Sequence, residues 1–174
     1  NSYLNLIEEN IYKCAYCRTE IHFCIQHPDY ELAAVKHDFR TLKFVKNQTP
    51  EICLVAVRKH GLILKVVKEQ THKICLAAVR SIGMALEYVE EQTEEICLAA
   101  VRNDPLALEH VKEQTFKICM AAVTKYGMAL CLVKKQNKEI CFAAVKRHAE
   151  AIQFVKEQYP QLCFKAVSRN GMTL

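Results

Sequence analysis

The chain has 174 residues, of which 51% are apolar, and it carries a formal net charge of +5 with a pI near 8.6. This length and composition are enough to bury a core, and the mildly basic charge suits either an anionic partner or simple solubility. No apolar run approaches the ~20 residues of a membrane span, and no signal-peptide pattern opens the chain, so the sequence predicts a soluble, intracellular protein without a membrane partner. Ten cysteines would suit a secreted disulfide scaffold, but such scaffolds have little apolar core, which excludes that class.

The first 27 residues contain a cluster of candidate metal ligands. Cys14, Cys17, His22 and His27 have the spacing of a zinc knuckle, and thiolate with neutral imidazole suits tetrahedral zinc. Alternatively, the apolar residues of segment 1–27 form a degenerate N-terminal cap unit without metal. We favour the cap, keep a zinc-stabilised adaptor as the alternative, and expect no other cofactor.

A repeat of 22 residues begins by about residue 28 and continues to residue 174. Glycine and proline recur at two fixed positions of the unit, which predicts two turns and two segments per unit. The clearest marker is a cysteine, and we call this set the cysteine row: Cys53, Cys75, Cys97, Cys119, Cys141 and Cys163.

The first segment of each unit is predicted to be an α-helix, helix A. A residue that can cap a helix precedes each segment, Pro50 fills a first helical position, and the glycine position follows as a helix-end signal. The capping residues are Thr49, Thr71, Thr93, Thr115 and Asn137.

The second segment, helix B, carries Ala-Leu and then Val, as in Ala85, Leu86 and Val89, and is predicted to end in the Glu-Gln pair. A leucine-rich repeat has a similar period, but the Ala-Ala pairs and the many Glu, Lys and Gln residues favour helices. Because helices this short are marginal alone, stacking must stabilise them. The predicted fold is therefore all-α: an α-solenoid of about seven short helix-turn-helix repeats, 28–174, in one domain with the cap.

The consensus T-x-x-I-C-L-A-A-V-x-x-x-G-x-A-L-x-x-V-x-x-Q, best seen from Glu94 to Gln114, resembles a repeat family of unknown function that is abundant in mimivirus-like giant DNA viruses. The resemblance covers residues 30–174. It implies a viral protein that acts in the cytoplasm of an infected host cell, and it supplies no activity or catalytic residue.

The cysteine row is interpreted as core packing. Its members are flanked by Ile and Leu or another apolar residue, and equivalent Cα atoms of stacked helices should lie ~9 to 10 Å apart, beyond the ~7 Å limit of a disulfide. We expect reduced, buried thiols.

A glutamine closes every unit. We interpret it as a structural ladder, in which the amide satisfies backbone groups at the end of helix B or bonds to its copy in the next unit. This glutamine row is Gln48, Gln70, Gln92, Gln114, Gln136 and Gln158.

Two sets of cations recur at fixed positions and become stripes on a solenoid. Such stripes predict nucleic-acid binding as the alternative function, although glutamates follow the first stripe and few aromatic residues are interleaved for base stacking. The first basic stripe is Lys46, Lys68, Lys112, Lys134 and Lys156, broken by Glu90. The second basic stripe is Lys36, Arg58, Arg80, Arg102 and Lys146.

The favoured function is recognition of a protein partner through the extended surface of the solenoid. The sequence lacks a phosphate-binding glycine loop and an acid–base or nucleophile motif, so we expect no enzyme. Specificity should reside where units differ most. We name these positions the edge row: Lys65, Glu87, Glu109, Cys131 and Gln153. The next position, the second edge row, also suits the core: Val66, Tyr88, His110, Leu132 and Phe154.

The last residues match the start of a helix B, since Gly171-Met172-Thr173-Leu174 aligns with Gly83-Met84-Ala85-Leu86. An array that stops there exposes apolar surface. We therefore expect either further residues beyond 174 or a homodimer that buries this end.

Overall fold

The structure, a computed structural model, describes residues 28–157 and 159–162. Throughout this part of the chain, ten-residue α-helices alternate with six-residue 3-10 helices, and adjacent pairs stack in chain order. The prediction of an all-α solenoid of short hairpins is confirmed. The α-helices are α1 (Pro28–His37), α2 (Pro50–Lys59), α3 (His72–Ser81), α4 (Glu94–Asn103), α5 (Phe116–Lys125) and α6 (Lys138–Arg147). The 3-10 helices are η1 (Phe39–Phe44), η2 (Gly61–Val66), η3 (Gly83–Tyr88), η4 (Pro105–His110), η5 (Gly127–Leu132) and η6 (Ala149–Phe154).

The predicted N-caps are confirmed for α2 to α6. In each case the capping side chain accepts a hydrogen bond from the backbone N–H three residues later, as Asn137 does from Ile140 at 2.8 Å. Pro50 is the first residue of α2, where its missing N–H leaves no bond unmade. These caps fix where helix A begins from α2 to α6.

Helix B differs from the prediction. It is a 3-10 helix that ends one residue before the valine of the unit, so Glu69 and Gln70 lie in the loop that follows η2. The prediction that helix B ends in the Glu-Gln pair is therefore wrong. A 3-10 helix rises about 2.0 Å per residue against 1.5 Å for an α-helix, so six residues span about 12 Å and nearly match the roughly 15 Å of ten-residue helix A.

The glycine position was predicted to end helix A, but in the structure it begins helix B and lies against the next unit. Helix α2 does end nearby, but its C-cap is His60, and Gly61 is the first residue of η2. A Cβ on Gly61 would lie 2.3 Å from the carbonyl oxygen of Ala78 in the next unit, and one on Gly127 would lie 2.4 Å from that of Ala144. Glycine is needed here for close approach between units.

The core runs the length of the described array between the α-helices and the 3-10 helices. Each of α2 to α6 contributes Ile, Cys, Ala and Val, and each of η3 to η5 contributes Ala and Leu together with the Val that follows it. In α1, Glu31 occupies the position that is cysteine in the later units, and it is buried. The continuity of this core explains how helices of two to three turns remain folded.

Several predictions from the sequence fall on residues outside the described part. These are the cap unit 1–27 with its candidate zinc ligands, Gln158 and Cys163, and the start of a helix B at Gly171.

Candidate interaction surfaces

The glutamine row connects each unit to the next through its side-chain amide. Gln114 Nε2 donates to the carbonyl oxygens of Leu108 in its own unit and Leu132 in the next, at 3.1 and 3.0 Å. Its Oε1 accepts from the backbone N–H of Lys134 at 2.9 Å. The bonds to the next unit recur from Gln48 to Gln136, with bridging distances of 2.8 to 3.2 Å. Each amide thus satisfies both a free carbonyl of a 3-10 helix end and an N–H of the following loop.

The cysteine row donates to this same glutamine oxygen. Cys75 Sγ lies 3.4 Å from Gln70 Oε1, and the other pairs from Cys53 to Cys141 lie at 3.6 to 3.9 Å. All five described members of the row are free and buried. Burial raises the pKa of each of these thiols, so the protonated form that can donate to glutamine is favoured. The pairing of cysteine with glutamine was not predicted, although both rows keep an invariant separation of five residues in the sequence.

A further polar row, which sequence reasoning missed, occupies the last residue of α2 to α6. Its side chains reach back to carbonyl oxygens near the end of the preceding α-helix. Asn103 Nδ2 donates to the Arg80 carbonyl at 2.9 Å, and Asn103 Oδ1 accepts from the Gly83 N–H at 2.8 Å. The row is Lys59, Ser81, Asn103, Lys125 and Arg147. The five side chains differ in chemistry, but each carries a hydrogen-bond donor. Because their residue types differ, no sequence motif marked these positions.

The five lysines of the first basic stripe are exposed, but four of them join units. Lys68 Nζ donates to the Lys46 carbonyl at 3.0 Å, and Lys156 Nζ donates to the Lys134 carbonyl at 3.2 Å. Lys112 and Lys134 also donate to carbonyls of the preceding unit. A phosphate backbone would have to compete with these bonds for the ammonium groups.

The second basic stripe lies on the outward face of the α-helices and is interrupted by Thr124 in α5. Arg58, Arg80 and Arg102 are exposed, and none of them forms a salt bridge with another described residue. Arg80 and Arg102 line a surface depression of about 370 Å³ between α3 and α4. The two stripes therefore differ: lysines of the first bond to the preceding unit, whereas Arg80 and Arg102 of the second line a depression.

The edge row is the fifth residue of η2 to η6, and all five of its side chains are exposed. The second edge row is half-buried, and its carbonyl oxygens accept from the glutamine row. The charge of Glu87 raises the pKa of Tyr88, which favours a neutral hydroxyl at that point of the edge. The edge row thus presents variable side chains on a backbone that is held by the glutamine amides.

The described residues contain no group of three or more His, Cys, Asp or Glu side chains arranged to hold a metal ion. The candidate zinc ligands Cys14, Cys17, His22 and His27 lie outside that part of the chain. No described helix is long and apolar enough to cross a membrane.

Comparison with models of protein families gives a match over part of the chain. Residues 72–117 match the family model described as Domain of unknown function (DUF4116). The matched stretch covers two hairpins, α3 with η3 and α4 with η4, and includes the segment from Glu94 to Gln114 that shows the repeat best. No curated protein and no solved structure matches the chain.

Proposed function

We propose that this chain is a non-enzymatic repeat scaffold that binds another protein through the exposed edge of its array. The observation that supports this proposal most directly is that each unit combines invariant positions with variable ones. The glutamine and cysteine rows, which bond within and between units, are invariant across α2 to α6, whereas the edge row is exposed and changes in charge and size from unit to unit.

The array is suited to recognition because its backbone is internally satisfied. The carbonyl oxygens of the second edge row already accept hydrogen bonds from glutamine amides, so a partner at this edge meets side chains rather than open backbone. The edge residues repeat once per unit, at the helix packing distance of about 8 to 10 Å. A protein surface can contact several of them at once, as in other solenoids.

The setting of this function follows from the resemblance of the repeat to giant-virus proteins. We propose that the chain is a viral protein that acts in the cytoplasm of an infected host cell, where its partner is a host or viral protein. The proposal needs no cofactor.

Capture from host-cell lysate tests the function. Immobilised wild-type chain should retain a partner protein from nuclease-treated lysate. A variant carrying Glu87→Lys and Glu109→Lys should not retain it. A matched variant, Glu69→Lys with Glu113→Lys, makes the same charge change at exposed positions of the loops and should retain it.

Loss of the captured protein on nuclease treatment would instead favour nucleic-acid binding. Equal capture by both double variants would show that the edge row is not the contact surface.

A further inference from the structure

The outward face of the α-helices combines cations with an apolar floor. In α4, Glu95, Leu98, Ala99 and Arg102 follow one another at intervals that place them on one side of a helix. The same four, with Arg80 of α3 and Asn103, line the depression of about 370 Å³.

The same pattern repeats in the neighbouring helices. Leu54, Leu76 and Leu98 occupy equivalent positions. Leu54 and Leu76 are partly buried against the core, and Leu98 is buried, with 7% of its surface exposed. Each is followed by a small or β-branched residue and then, three positions later, by Arg58, Arg80 or Arg102. The outward faces of α2, α3 and α4 therefore repeat one pattern, a leucine with a guanidinium group four residues later, and we call these three faces the strip.

The other side of the strip carries charges that alternate in sign. On α2, α3 and α4 these residues are Glu51, Lys73 and Glu95. Glu51 and Glu95 would repel a phosphodiester chain and a chain of carboxylates alike, but the floor of α2 to α4 offers aliphatic rather than aromatic surface for bases. Guanidinium groups pair equally well with carboxylates, in planar two-bond geometry.

We propose that this strip is a groove for an extended acidic peptide segment of a partner protein. Its carboxylates pair with Arg58, Arg80 and Arg102, and its apolar side chains rest on the leucine floor. Stacked helices repeat every 8 to 10 Å or so, and a polyproline II chain advances about 3.1 Å per residue with three residues per turn, so every third side chain meets the next arginine. This inference rests on the proposed protein-binding function and adds to the edge row a second surface with its own partner chemistry.

The direct test uses a fluorescent synthetic peptide of roughly 15 residues in which Glu recurs at every third position with Pro and Leu between. Wild-type chain at ~50 mM salt should bind this peptide and should not bind the same peptide with Lys in place of Glu. A variant with Arg80→Glu and Arg102→Glu should bind at least about tenfold more weakly. Arg80→Lys with Arg102→Lys keeps the charge without the planar fork and should give an intermediate affinity.

A matched variant, Lys46→Glu with Lys135→Glu, makes the same change in net charge away from the groove and should bind the acidic peptide within about twofold of wild type. Circular dichroism checks that each variant keeps its helix content. No binding of the acidic peptide by wild type, or equal weakening in this matched variant, would overturn the proposal. Tighter binding of single-stranded oligo(dT), lost in the Arg80→Glu, Arg102→Glu variant, would also overturn it in favour of nucleic acid.

The outcome is separable from the test of the proposed function. The peptide titration needs no cellular partner, so failure to capture a protein from lysate counts against the proposed function alone. Capture that depends on the edge row, together with a failed peptide titration, counts against the groove alone.

Discussion

Replacing one glutamine of the row should weaken the whole stack, and Gln114→Ala is the most informative change. It removes three hydrogen bonds to backbone, namely those to the Leu108 and Leu132 carbonyls and from the Lys134 N–H, at 2.9 to 3.1 Å. It also leaves the Cys119 thiol without its acceptor. At a net value of about 1 kcal/mol per bond, the expected loss in free energy of unfolding is about 3 kcal/mol, a large part of the roughly 5 to 15 kcal/mol of a typical domain.

Urea unfolding followed by circular dichroism measures this loss. Gln153→Ala is the matched control, because this glutamine belongs to the exposed edge row, and its cost should stay within about 0.5 kcal/mol. If Gln114→Ala costs no more than Gln153→Ala, the amide does not join the units and the reasoning is refuted.

Two substitutions, a pH dependence and an alkylation experiment probe the contacts between units and the burial of the cysteine row. Gly127→Ala should destabilise by about 2 kcal/mol, because the new Cβ would lie 2.4 Å from the Ala144 carbonyl, although the same exchange usually stabilises an isolated helix. Asn103→Ala should cost about 2 kcal/mol in urea unfolding, because two hydrogen bonds to the preceding unit are lost. Burial raises the folded-state pKa of Cys97 and its equivalents. Their contribution to stability is therefore fully present below the unfolded thiol pKa and is lost as pH rises through the folded pKa. The melting temperature should fall as pH rises above about 9. In native protein at pH 8, alkylation mapped by mass spectrometry should modify exposed Cys131 well before Cys97.

Each of these predictions has a control. Asn47→Ala removes the same side chain at an exposed loop position and should be nearly neutral. Cys97→Ala should show a shallower loss of stability at alkaline pH than wild type, and equal slopes would contradict the assignment to thiols. A stabilising effect of Gly127→Ala would contradict the close approach between units, and similar labelling rates at Cys97 and Cys131 would contradict burial of the cysteine row.

Much of the fold could be predicted from the sequence because its signals repeat in register. A capping residue such as Thr93 and a cysteine such as Cys97 recur every 22 residues, so one local interpretation applies to every unit. The type and end of helix B could not be predicted, because Gly-x-Ala-Leu suits α and 3-10 helices equally. In the structure the 3-10 end of each helix B from η2 to η6 is bonded by the glutamine amide of the preceding unit, as Leu132 is by Gln114.

The candidate surfaces were predictable in part. The sequence separated variable positions such as Glu109 from invariant ones, and the structure places the edge row in solvent. It treated the two basic stripes as equivalent, whereas the structure gives Lys68 a carbonyl partner in the preceding unit and leaves Arg80 beside an open depression. That difference depends on how far each side chain reaches across units, which no spacing of charges in the sequence records.

Site-specific photo-crosslinking tests the central claim, binding of a protein partner at the edge row, most directly. A photo-reactive phenylalanine analogue replaces Glu109 of the edge row in one protein and Glu113 of the following loop in another, and both are irradiated in nuclease-treated host-cell lysate. The account predicts a discrete protein adduct at position 109 that is absent or much weaker at position 113. No protein adduct at position 109, or adducts of equal strength at both positions, would contradict it.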